Sequence, residues 1–113
     1  MLAKQHRLLK QKDFEKVFKR GKSFYTKLLG AKALTSELKF NRFGIVISTK
    51  ISKKATERNR LKRQIRQAIR ELNEELRSGL DLVVMALPGF LNQEYKTVKG
   101  ELEKIFKALK LLK

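Results

Sequence analysis

Between residues 52 and 70 the chain carries eight lysine or arginine side chains and one carboxylate, Glu57. The densest part reads Arg58-Asn59-Arg60-Leu61-Lys62-Arg63, and Arg66 and Arg70 follow at helical intervals. Guanidinium groups present donors in a fixed fork that matches phosphate oxygens two at a time. An asparagine amide among them can probe a groove edge or a 2′-hydroxyl. The chemistry on offer is recognition of a folded polyanion. Breaking a phosphodiester would instead need carboxylates gathered around metal ions, or a histidine–lysine acid–base pair. Here the acids are scattered, and the nearest pair, Glu74-Glu75, reads as local charge balance. There is no cysteine for a zinc ribbon or a thiol nucleophile, and only one histidine. That histidine, His6, has no partner in the sequence and is expected at the surface or near bound nucleic acid, not in catalysis.

The element that must position this cluster is a helix. From about Thr56 to Ser78, Leu61, Ile65, Ala68, Ile69, Leu72 and Leu76 fall on one stripe, with Gly79 as the terminator. Asn59, Lys62, Arg63, Arg66 and Arg70 fall in a sector on the other side, so one face buries and the other is a rod of positive charge. A charge run is most often a solvated helix face. Two features argue for more. The cations crowd the N-terminal half, where the helix dipole disfavours each by ~0.3–1 kcal/mol, and one glutamate cannot pair them all.

The whole chain supports a polyanion as partner. Its 113 residues carry 28 basic and 11 acidic side chains, a net charge of +17. Residues 71–100 are mildly acidic, so the charge forms a face and is not spread evenly. The length suits one domain with a real core. No apolar run approaches the ~18 residues of a membrane span, and the N-terminus lacks a signal-peptide core. The expectation is therefore an intracellular, cytoplasmic protein. Membrane binding is disfavoured because the apolar stripes are needed for the core.

Around the basic helix, Asp13 followed by Phe14, Val17 and Phe18 predicts a short helix capped by Asp13 and closed by Gly21. Residues 23–35 predict a strand, with a possible division of residues 23–41 into two, and Ser36 to Arg42 a turn. Phe43 to Ser48 and Leu80 to Leu87 predict two further strands, the second buried on both faces. Pro88-Gly89 breaks the latter. A last helix is expected from near Asn92, with Val98, Leu102, Ile105, Phe106 and Leu109 on one face. The order α-β-β-(β)-α-β-α predicts an α+β sandwich: one sheet with helices against it.

Taken in order, these segments resemble the protein subunit of bacterial ribonuclease P. Arg58-Asn59-Arg60 with Leu61, Lys62, Arg63, Arg66 and Arg70 resembles its "RNR" helix. Arg7-Leu8 with Asp13-Phe14 through Val17-Phe18 to Gly21 resembles its opening helix. Phe43 to Ser48 with Lys50, and Asp81 to Val84, resemble the strands on either side of the motif. The resemblance implies a fold like the second domain of a small-subunit ribosomal protein, with a left-handed βαβ crossover through the RNR helix. Open α/β units otherwise favour the right-handed path.

It further implies an accessory role. An RNA subunit, using magnesium, hydrolyses the phosphodiester that joins the 5′ leader to precursor transfer RNA, and the protein binds no metal of its own. Arg58, Asn59, Arg60, Lys62, Arg63, Arg66 and Arg70 become candidates for contacting that RNA. Phe14 and Phe18 become candidates for holding the single-stranded leader, though ordinary core packing would equally place two apolar residues at this spacing. Where the family's first strand offers an aromatic to the leader, this chain has Lys32, with Phe24 and Tyr25 earlier; Tyr25 and Lys32 join the leader candidates. Ser48-Thr49-Lys50 stands where the family often has Ser-Lys-Lys, and Ser52-Lys53-Lys54 replaces a commoner glycine-containing turn. Neither a membrane nor an obligate protein partner is implied. The rival reading is a ribosomal-type RNA-binding protein with no part in cleavage. A helix-turn-helix DNA binder fits less well, because a strand and not a short helix precedes the basic helix.

Overall fold

The run Leu80-Asp81-Leu82-Val83-Val84-Met85-Ala86 is apolar almost throughout because this strand is covered on both faces. A computed structural model describes residues 6–8, 10–90 and 93–113. In it four strands, β1 (Lys22–Tyr25), β2 (Leu29–Thr35), β3 (Arg42–Val46) and β4 (Leu80–Ala86), form one sheet in the order β1-β2-β4-β3. β4 runs antiparallel to β2 and parallel to β3. On one face, Leu80, Leu82, Val84 and Ala86 join Ala31, Ala33 and Phe43 under two helices, α2 (Ala55–Leu72) and α3 (Tyr95–Ala108). On the other, Val83 packs with Val17 of α1 (Gln11–Arg20) and with Leu8. The architecture is the α+β sandwich expected, with its stripes buried: Leu61, Ile65, Ala68, Ile69 and Leu72 on α2, and Val98, Leu102, Ile105 and Phe106 on α3.

Several boundaries differ from the sequence expectation, each for a local reason. Residues 23–35 are not one strand but a hairpin, the division of residues 23–41 into two strands that the sequence also allowed. Its turn is closed by Thr26, whose Oγ1 accepts from the Leu28 and Leu29 amides at 3.3 and 3.1 Å. β3 begins at Arg42 and ends at Val46, short of Ser48. Asp13 does not cap α1; the helix starts at Gln11 behind Lys10, and Asp13 lies in its first turn. Gly21 follows α1 in an extended conformation, φ −74°, so a left-handed cap is not what it supplies. A Cβ there would lie 2.5 Å from the Val17 carbonyl oxygen, so close packing explains the glycine. α2 stops at Leu72 and passes into a 3-10 turn, Asn73–Glu75. Leu76 is buried through a bridge to Leu112 and not through the helix. Gly79, at φ +81°, makes the turn into β4 and does not terminate α2. Asn92, where the last helix was expected to begin, is outside the described residues, and α3 is helical from Tyr95.

Two buried polar residues at the start of β3 and β4 lock the sheet's end. Asn41 accepts the Leu80 amide at 2.8 Å and donates to Asn73 Oδ1 at 3.2 Å. Beside it, Arg42 donates twice to Asp81, at 2.9 and 2.7 Å, and once to Asp13, at 3.2 Å. His6 Nδ1 lies 2.9 Å from the Asn41 carbonyl oxygen and the ring meets Phe40 edge-on at 5.6 Å. His6 is thus a half-buried anchor of the N-terminal segment, not the partnerless surface residue expected.

Candidate nucleic-acid interface

α2 takes its start from Ser52, whose hydroxyl donates to Glu57 at 3.1 Å and accepts the Lys54 amide at 3.2 Å. The only carboxylate in the basic stretch is thereby engaged by the loop. Arg58 is drawn the same way: its Nη1 donates to the Ser52 carbonyl oxygen at 2.9 Å, and its side chain is half-buried. The first arginine of the motif therefore holds the loop against the helix. The others stand differently. Asn59, Arg60, Arg63 and Arg70 are exposed, Lys62 and Arg66 half-exposed. None of these six makes a hydrogen bond or ion pair with another described residue, so the field of the face is uncompensated.

Where α2 passes the start of α3, it borders a groove of about 680 Å³ lined by Arg60, Arg63, Gln64, Arg66, Gln67, Arg70 and Tyr95. One carboxylate, Glu71, lies beside it and is tied down. It accepts from the Tyr95 hydroxyl at 2.5 Å, from Lys99 at 3.2 Å and from Gln67 at 3.3 Å. The Tyr95 hydroxyl, then Lys99, hold the Glu71 carboxyl below its ordinary range. Burial first, and Glu71 second, push the Tyr95 phenol up to about 12. Sequence reasoning missed Gln64, Gln67 and Tyr95, because their nearness depends on how α3 packs on α2.

The raised phenol carries a pH prediction. Tyr95 in the unfolded chain ionises near ~10, so the folded state holds the proton more tightly. Its contribution to stability is complete below about pH 10 and is lost as pH rises towards about 12. The chain has two tyrosines, so in a Tyr25→Phe variant the ultraviolet phenolate signal should rise only near pH 12. A midpoint near ~10 would mean that the burial of Tyr95 and its contact with Glu71 are not kept in solution.

The opposite face of the sheet is organised in cross-strand rows. Tyr25, Gly30, Met85 and Val46 form one row through the register of all four strands. Ser23, Lys32, Val83 and Gly44 form the next, and Leu34, Asp81 and Arg42 the third. α1 crosses the second and third rows: Asp13 reaches Arg42, Val17 covers Val83, and the Phe14 ring stands over Gly44. α1 leaves the first row, about 14 Å across four strands, to its own side chains: the Tyr25 ring covers the buried Gly30, and Tyr25 and Val46 are exposed. Phe14 and Phe18, one turn apart, meet the second row beside it, on Gly44 and Lys32.

Glycine lets two rings lie flat on the sheet. A Cβ on Gly44 would lie 2.5 Å from the Phe14 ring, and one on Gly30 would collide with the Tyr25 ring. Tyr25 is 51% exposed, and Phe18 and Val46 39% each, an apolar strip on a highly charged protein. The structure thus brings Phe14, Phe18 and Tyr25 around one surface. Phe24 points to the other face, opposite Ala31. Lys32 belongs to the strip's edge but is occupied. It donates to the Phe18 carbonyl oxygen at 3.3 Å, in the last turn of α1, and lies 5.2 Å from the Phe18 ring centre. It caps that helix end and supports the ring. Val46, Met85 and the two glycines were missed; strand alternation identifies them only once the register is known.

Among the described residues no group of three or more His, Asp or Glu side chains could hold a metal ion, and no helix is long and apolar enough to cross a membrane. Residues 2–110 match the family model described as Ribonuclease P. A ribonuclease P protein component from Synechocystis is 40% identical over 106 residues, 93% of this chain and 86% of that protein. One from Bacillus cereus is 39% identical over 107 residues, covering 94% and 92%. Among solved structures, the RNase P protein of Thermotoga maritima is 32% identical with a TM-score of 0.81, covering 95% of this chain and all of that one. That of Staphylococcus aureus has a TM-score of 0.87 at 25% identity, covering 96% and 98%.

Proposed function

The chain belongs to the ribonuclease P protein family, and from that premise we propose that its two faces bind two different RNAs at once. Proteins of this family are the protein component of a ribonucleoprotein endoribonuclease that processes transfer RNA. In our reading α2 docks on the catalytic RNA through Asn59, Arg60, Lys62, Arg63, Arg66 and Arg70, with Arg58 shaping the loop that aims them. The strip bordered by Phe14, Phe18 and Tyr25 receives the single-stranded 5′ leader of the precursor. Magnesium belongs to the RNA subunit, and this chain contributes affinity and orientation.

The observation that carries the reading is the absence, among the described residues, of any partner for the exposed α2 cations, while the aromatic strip lies across the sheet from them. A surface built for one RNA would place both on one side. Unstacked bases pack on aromatic rings whatever their identity, which suits a leader of variable sequence.

The first experiment is precursor cleavage in magnesium at low salt, comparing the protein, a bacterial ribonuclease P RNA, and the two together. Stimulation is expected only in the mixture. A Tyr25→Ala variant should then bind leader-bearing precursor roughly 5- to 150-fold more weakly, as loss of one stacked base predicts, with little effect on mature transfer RNA. Equal losses on both substrates would remove the strip from leader binding. A mixture no faster than RNA alone would favour a structural RNA-binding role.

A further inference from the structure

Three glycines around α1 owe their places to different neighbours. A Cβ on Gly21 would strike backbone, at the Val17 and Ala33 carbonyl oxygens, and one on Gly44 would meet the Phe14 ring with Leu8 behind it. For Gly30 the three nearest atoms all belong to one side chain, the Tyr25 ring, whose Cε1 would lie 2.5 Å from the new carbon. The backbone at Gly30 does not call for glycine, because Gly79 alone among the described glycines has a positive φ. Gly30 also lies inside β2, where glycine weakens a strand relative to alanine. The fold by itself would be served by alanine at this position.

What the missing side chain provides is a seat for the ring. Tyr25 is the cross-strand partner of Gly30. Its ring covers that buried glycine while half of the residue stays exposed, so one side of the ring rests on the sheet and the other faces outward. Next in the row come Met85 and Val46, which offer apolar surface but no ring, so Tyr25 is the row's one π-face. A ring already held in place loses little freedom when a base stacks on it. A methyl group beneath would lift it. β1 is an edge strand with all four residues exposed, so a displaced ring has solvent to turn into.

We propose that Gly30 is a positioning residue for leader binding: the space above its Cα seats the Tyr25 ring with its outer face set to receive a base. The proposal rests on the strip being the leader's site. It adds that affinity for the leader depends on how the ring is seated as well as on its presence.

The test uses holoenzyme assembled from the full chain and a transcribed bacterial ribonuclease P RNA, with affinity measured for leader-bearing precursor and for mature transfer RNA. Gly30→Ala should weaken precursor binding roughly 5- to 150-fold, the range for losing one stacked base, and change mature transfer RNA binding by less than about twofold. Its melting temperature should stay within about 3 °C of the parent, because alanine suits the strand and the obstacle is an exposed ring. In a Tyr25→Ala background the same change should cost nothing further, since the ring it acts through is gone. Unchanged precursor affinity in Gly30→Ala, where Tyr25→Ala loses it, overturns the positioning role, and so does a further loss in the double variant. A single variant that fails to fold, or melts well below the parent, overturns it too, because the glycine would then serve the fold. If Tyr25→Ala itself binds precursor and mature transfer RNA in the parent's ratio, it is the leader reading beneath that falls.

Discussion

Replacing Arg63 and Arg66 together with alanine should weaken binding to the ribonuclease P RNA roughly a hundredfold or more at about 0.1 M salt, through loss of two charge-assisted contacts. The salt dependence should change with it. Each phosphate contact contributes about 0.7–0.9 to the slope of log affinity against log salt, so the double variant should be shallower by about 1.4–1.8. A hundredfold deficit at about 0.1 M would then shrink towards parity near 1 M. Stability should not fall. Neither side chain has a partner among the described residues, and removing two cations lowers the self-repulsion of a chain of net charge +17. Filter binding across a salt series, with thermal melts alongside, checks both parts. An affinity loss at unchanged slope would mean these arginines do not meet phosphates.

Arg42→Ala should have the largest effect on stability. Asp81 is only 4% exposed and receives two of the arginine's hydrogen bonds, while Asp13 receives the third. The Asp81 hydrogen bonds outweigh the cost of desolvation and raise Arg42 above its ordinary value. Removing the arginine leaves a buried carboxylate with its charge partner gone, a change that typically costs ~3–5 kcal/mol. That is a large share of the ~5–15 kcal/mol available to a domain. For a chain of this size the melting temperature should fall on the order of 15 °C. An Arg42→Met/Asp81→Leu double variant should recover much of the loss, because apolar replacements remove the stranded charge. A single variant that melts within a few degrees of the parent would show that water reaches Asp81. The aromatic strip is expected to suffer as well, since Arg42 ties α1 to the third row of the sheet.

The elements with a repeating pattern were legible in the sequence. Leu61 to Leu72 declared a helix by spacing, and residues 80–86 declared a doubly covered strand by being apolar without alternation. Where polar side chains made the structure, the sequence offered no such sign. The hairpin at Thr26 turns on one hydroxyl, without a glycine or proline to mark it. Leu76 continued the α2 spacing into a segment that leaves the helix, because burial against Leu112 satisfies the same pattern. Arg42 and Asp81 are partners across 39 positions, a relation no local window contains. The candidate site divides likewise. The cations of α2 could be read directly, but Arg58's commitment to the loop could not. Phe14, Phe18 and Tyr25 could be named, whereas Met85, Val46 and the glycines between them required the register. Lys32 could be named with them, and only the position of the Phe18 carbonyl showed that its charge is already in use.

The order of strands in the sheet bears on how the chain is made. β4 is inserted between β2 and β3, yet it is the last strand to be synthesised. Until residues 80–86 leave the ribosome, the β1–β2 hairpin and β3 have no strand to join them, and each shows an unpaired inner edge. Those edges are what intermolecular pairing exploits. In that interval the segment reaching solvent is residues 52–70, with eight basic side chains to one carboxylate, and this charge repels a second nascent copy. The same charge that suits the mature helix to RNA therefore shields the half-made sheet from its neighbours.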